Sequence, residues 1–142
     1  MNRRALLVTT AAASLTLAAP AGGAVLSPTV RLVIAHVASH CHVWRTSTKT
    51  LGASTTISVT PGTKLVVRSD CPMDFDLAQN RGPRLPLGDP RMLAGTSRTI
   101  AFRRVGVYVL TATNVQTPEE RGLVTLGEPN TLILTVIVTR SR

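Results

Sequence analysis

Pro61-Gly62-Thr63-Lys64-Leu65-Val66-Val67-Arg68-Ser69 is the stretch whose reading decides the fold. Pro61 presets its own φ and Gly62 accepts a positive one, so the pair predicts a tight turn. From Thr63 to Ser69 the side chains alternate. Leu65 and Val67 fall on one face, Lys64, Val66 and Arg68 on the other, which is the period of a strand with one buried side.

Working outward, the same period recurs on both sides. Toward the N-terminus, Thr29 to Val37 sets Val30, Leu32 and Ile34 against Arg31, Val33 and Ala35, and His42 to Thr46 continues that strand or begins a second. Residues 48 to 54 are small and polar and predict a turn or loop, and Thr55 to Thr60 is a short β-branched strand. Toward the C-terminus, Asp70-Cys71-Pro72 interrupts the pattern and Phe75 and Leu77 mark another short strand. Gln79 to Leu93 holds Pro83, Pro86, Pro90, Gly82 and Gly88 and predicts a long ordered loop. Arg98 to Arg103, carrying Ile100 and Phe102, and Val107 to Thr113 read as strands separated by Gly106. Pro118 and the following glutamates suit one helical turn over residues 117–122. Thr131 to Thr139 is apolar on both faces, as a central strand is. Seven or eight short strands with turns between them predict an all-β fold, a β-sandwich of the Greek-key kind.

The chain has 142 residues, enough for one domain after removal of a processed segment. Residues 1–24 read as a signal peptide: Arg3 and Arg4 form a basic start, Ala5 to Ala19 is uncharged, and small residues at Ala21 and Ala24 suit cleavage. The uncharged run is short for a membrane span, so no transmembrane span is expected in the mature chain. Residues 25–142 are then a single domain, secreted or otherwise extracytoplasmic, in the periplasm or cell envelope. Lys and Arg number 16 against 7 acidic residues, a net charge of +9. Nucleic-acid binding at such a charge usually adds aromatic platforms. Here Trp44, Phe75, Phe102 and Tyr108 are scattered, and the charge of an exported chain points instead to anionic envelope polymers.

The residues richest in chemistry lie between His36 and Trp44. On a strand, His40 and His42 share a face with His36, and two imidazoles on one element can hold a metal. Copper or zinc suits them, with Met73 or Met92 as further soft donors for copper. The competing expectation is three surface or half-buried imidazoles beside an aromatic ring. Cys41 faces the other way with Val37, Ser39 and Val43, toward the core. Two cysteines in an exported chain predict a Cys41–Cys71 disulfide. Asp74 and Asp76 share a face but have Arg68, Arg81, Arg84 and Arg91 near in sequence, so ion pairing is expected of them rather than acid–base chemistry. The sequence carries no nucleophile elbow, phosphate loop, dinucleotide fingerprint or Cys-x-x-Cys pair. The first expectation is therefore a non-enzymatic binding or envelope-associated protein without catalytic residues or cofactor. Extracytoplasmic copper or zinc binding through His40 and His42 is the second. For the first reading, residues 79–93 and 114–130 are either recognition loops or loops that only seal the ends of the sandwich.

From about residue 55 to 139 the order of features resembles the cupredoxins. The stretch Pro61 to Val67 looks like the strand that precedes that family's first copper histidine. Ala94-Gly95-Thr96-Ser97 through Phe102, followed by Gly106-Val107-Tyr108, is similar to its Gly-x-Ser…Phe…Pro-Gly-x-Tyr hairpin. The resemblance implies a cupredoxin-like sandwich. The blue-copper ligand set does not carry over: Met73-Asp74-Phe75-Asp76 stands where the family has its first histidine, and Ala112 and Val115 stand where it has a cysteine and a further histidine.

Overall fold

The computed structural model describes residues 27–37, 40–116 and 130–140, with the side chains of His40 and Cys41 outside that description. The segment read as a signal peptide and the helical turn expected at 117–122 also lie outside the described residues. Ten strands form among the described residues, in chain order: β1 (Thr29–Val37), β2 (His40–Arg45), β3 (Thr50–Gly52), β4 (Ser54–Val59), β5 (Lys64–Ser69), β6 (Phe75–Arg81), β7 (Arg91–Met92), β8 (Ser97–Ala101), β9 (Gly106–Asn114) and β10 (Thr131–Val138). They make two five-stranded sheets, ordered β3-β2-β1-β5-β8 and β4-β10-β9-β6-β7.

Each sheet is mixed. β1 runs parallel to β5, with Thr29 opposite Lys64 and Ile34 opposite Ser69. β10 runs parallel to β4 and antiparallel to β9. Parallel neighbours cannot be joined by a hairpin, so both parallel pairs are closed by chain that crosses between the sheets. This is the Greek-key sandwich expected from the strand pattern. β10 sits inside its sheet, as its two apolar faces predict.

The strands exceed the seven or eight expected because two short edge strands form where loops were expected. Residues 50–52 pair with Trp44 and Arg45, and Arg91 and Met92 pair with Asp76 and Phe75. The long loop thereby shrinks to residues 82–90.

The core lies between the sheets. Leu32, Ile34, Trp44, Leu65, Val67, Ile100 and Phe102 enter it from one side, and Phe75, Leu77, Tyr108, Leu110, Leu132, Leu134, Val136 and Val138 from the other. Trp44 Nε1 donates to Ile133 O at 3.1 Å, a hydrogen bond from β2 of one sheet to β10 of the other. Burial of the indole therefore leaves its one N–H satisfied.

Candidate functional site

The strand register sorts the chemistry to two ends. His36 follows the Ile34–Ser69 pairing, and Phe75 touches His42, so these residues share one end. Ala101 pairs with Lys64 and Arg81 with Val109, which puts the turn after β8 and the loop after β6 at the other.

At the histidine end the face assignment is corrected. His42 and Trp44 are both fully buried and point inward, so His42 faces the core and not the outer face expected for it. Trp44 sets this parity: its indole has far more apolar surface to remove from water than a cysteine has. The His42 ring packs edge-to-face on Phe75 at 5.3 Å between centroids. His36 is exposed, yet its ring lies 6.0 Å from that of His42. A register shift between Ala35 and Val37 perturbs the ladder beside them.

The expected soft donors take separate duties. Met73 is half-buried, and Asn114 Nδ2 donates to its sulfur at 3.2 Å. Met92 is buried in the core on β7, opposite Phe75. Cys71 is a free buried thiol here and not half of the expected disulfide. It donates to Ile34 O at 3.4 Å. Burial, and second the charge of Asp70, push its pKa up to about 11. No three His, Cys, Asp or Glu side chains converge on one point among the described residues. Ala112, where a blue-copper thiolate would be needed, is buried and apolar. The residues present do not fit a blue-copper centre.

The carboxylates behave as expected. Arg91 reaches Asp76 at 2.8 Å and Asp74 at 3.9 Å, and Arg68 reaches Asp70 at 2.6 Å. Asp74 also accepts from Ala94 N, and Asp89 from Arg91 N. These groups hold the loops around β6 and β7 to one another.

At the other end an open-sided hollow of about 910 Å³ lies between the 82–90 loop and the turn joining β8 to β9. Its rim carries Arg84, Arg103 and Arg104, all exposed, and its walls include Leu85, Pro86, Leu87 and Ala101. No carboxylate lines it. The ion pairs among the described residues are made by Arg45, Arg68 and Arg91, away from this rim.

The walls are fixed by specific contacts. Gln79 Nε2 donates to Arg81 O and Pro83 O, at 3.1 and 2.8 Å, while its Oε1 accepts from Leu85 N at 2.9 Å. Gly82, at φ +104°, lies so close to β9 that a Cβ there would stand 2.5 Å from Val107 O. Only glycine fits this approach. Tyr108 OH donates to Arg104 O across the turn. Sequence reasoning singled out the 82–90 loop within its longer segment but missed Arg103 and Arg104. Their adjacency after a strand was a visible signal, but that they face Arg84 was not.

The chain is a cupredoxin-like β-sandwich by its strand order and sheet pairing. It resembles a multicopper oxidase from Campylobacter jejuni at 15% identity and TM-score 0.46, over 80% of this chain and 26% of that one. It also resembles a multi-copper oxidase from Pseudomonas thermotolerans at 14% identity and TM-score 0.48, over 82% of this chain and 30% of that one. A purple cupredoxin from Nitrosopumilus maritimus aligns at 14% identity and TM-score 0.41, over 75% of this chain and 97% of the other. The chain thus spans under a third of the length of the two oxidases. No family model matches the sequence. No curated protein matches it either.

Proposed function

We propose that this protein is an extracytoplasmic, non-enzymatic binding protein whose partner is an anionic polymer of the cell envelope. The observation that carries this reading is the cluster of three exposed arginines around a loop-built hollow with no carboxylate in its lining. Like charges gathered without counter-charges raise the local potential, and an anion relieves it. Cleavage of residues 1–24 removes Arg3 and Arg4 and leaves a net charge of +7, which draws such a polymer from a distance. Loops on a rigid sandwich are where binding commonly resides, and the described carboxylates near the other end are engaged with arginines or backbone amides. The test is co-sedimentation of the purified protein with washed envelope material, followed by elution with salt. Retention that falls steeply with ionic strength is expected. Absence of retention at low salt overturns the reading.

A second reading is favoured by one distance, the 6.0 Å between the His36 and His42 rings. Two imidazoles this close suit shared coordination of copper or zinc, with His40 or Met73 as further donors. Elemental analysis of untagged protein tests it. Near-stoichiometric metal that is lost in His36→Ala/His40→Ala is expected on this reading, and trace metal unchanged by the substitutions sinks it.

A further inference from the structure

Resting on the envelope-binding reading, we propose that the Arg84–Arg103–Arg104 hollow is the site that grips the polymer, holding the phosphate or carboxylate groups of a sugar-based chain. Guanidinium groups offer paired N–H donors that match both oxyanions, and such charge-assisted hydrogen bonds are stronger than neutral ones. The three arginines come from two segments far apart in sequence, residue 84 and residues 103–104, and meet only across the hollow. An anionic segment seated in the hollow neutralises charge contributed by both segments at once.

The shape narrows the ligand further. The hollow is partly open to solvent, so it can admit a length of chain rather than only a small molecule enclosed. Pro86, Leu87 and Ala101 add apolar surface to its lining. The C–H faces of sugar rings pack on such a surface while their anionic substituents reach the rim. An inorganic ion or a bare polyphosphate would leave that surface unused.

The site is also set in advance. Gln79 holds the loop through three hydrogen bonds, and Tyr108 holds the turn through one. Binding therefore orders side chains rather than backbone, which keeps its entropic cost low.

The test compares two triple variants of equal charge. Arg84→Gln/Arg103→Gln/Arg104→Gln empties the rim; Arg31→Gln/Lys64→Gln/Arg140→Gln removes as much charge from exposed positions outside it. Binding of each to a glucosyl-substituted poly(glycerol phosphate) and to polygalacturonate is measured by calorimetry, with neutral dextran as the uncharged control and thermal melting to verify folding. The rim variant is expected to bind at least about tenfold more weakly, the loss of one or more charge-assisted bonds, and the control variant only about twofold. Preference of the wild type for one polymer identifies phosphate or carboxylate as the group held. Equal losses in the two variants overturn the site while leaving the envelope-binding reading in place. Failure of the wild type to bind either polymer, despite retention on envelope material, also overturns the site. Failure of both assays overturns the site and the reading together.

Discussion

The hydroxyl of Tyr108 donates a 2.7 Å hydrogen bond to the carbonyl oxygen of Arg104, four residues earlier in the chain. The ring is buried in the core, edge-to-face with Phe102 at 5.0 Å, while its oxygen reaches out to the turn. A tyrosine used in this way ties a turn to the strand that follows it. Here the turn carries two of the three arginines on the hollow, so a core residue sets the geometry of the binding rim.

Tyr108→Phe keeps the buried ring and deletes only that bond. A loss of about 0.5–1.5 kcal/mol is expected, read as a lower urea midpoint at unchanged m-value. Affinity for the anionic polymer should fall as well, since the turn loses its tether. An unchanged midpoint shows that Arg104 O is satisfied as well by water.

Gly82 and Gly88 both have positive φ, at +104° and +69°, but their surroundings differ. A Cβ at Gly82 meets Val107 O and the Tyr108 backbone, whereas one at Gly88 meets nothing within 4 Å. Gly82→Ala is therefore expected to cost well over about 1 kcal/mol and Gly88→Ala about that or less. Chemical denaturation of the two variants side by side checks the order; equal costs show that the 82–90 loop shifts freely.

Trp44 is the only tryptophan and is fully buried. Its emission should be blue-shifted in the folded protein and move to the red in one step on unfolding. Trp44→Ala removes a large buried side chain and the bond to Ile133 O, and is expected to cost about 3–5 kcal/mol. Denaturation followed by circular dichroism measures it, and a cost under 1 kcal/mol would contradict the packing described.

Cys71 makes a prediction about alkaline pH. Its folded pKa of about 11 exceeds the ordinary 9.0, because burial and the Asp70 charge disfavour the thiolate. The folded state therefore binds the proton more tightly than the unfolded state. The resulting contribution to stability is full below pH 9 and is lost progressively as the pH rises from there toward 11. In Cys41→Ser, Cys71 should resist alkylation at pH 8 until denaturant is added, and the Cys41→Ser/Cys71→Ser variant should lose this part of the alkaline decline. Fast labelling of the native protein contradicts the buried thiol.

Much of the scaffold was legible because each strand announces itself locally. Leu65 and Val67 alternate with Lys64 and Arg68 whatever lies around them, and β5 forms where that pattern runs. The short strands β3 and β7 were not legible. Their residues pair because Trp44 and Phe75 are already held in place beside them, which no local pattern records. The burial of His42 was misread by assigning the even-numbered positions of β2 to the outer face. Trp44, two positions beyond His42, carried the right parity and the larger burial.

What the sequence by itself determined is the all-β Greek-key sandwich, its inward faces on most strands, and the surplus of arginine over acid. These follow from side-chain period, turn chemistry and composition, all properties of neighbours along the chain. Only the tertiary structure decided that Arg84 stands across a hollow from Arg103 and Arg104, that Gln79 and Tyr108 hold the two walls, and that His42 lies in the core against Phe75. Those facts depend on which strands cross between the sheets and where each pairing comes into register. Contacts between residues so far apart in the chain are fixed by packing the whole sandwich, not by any segment of it.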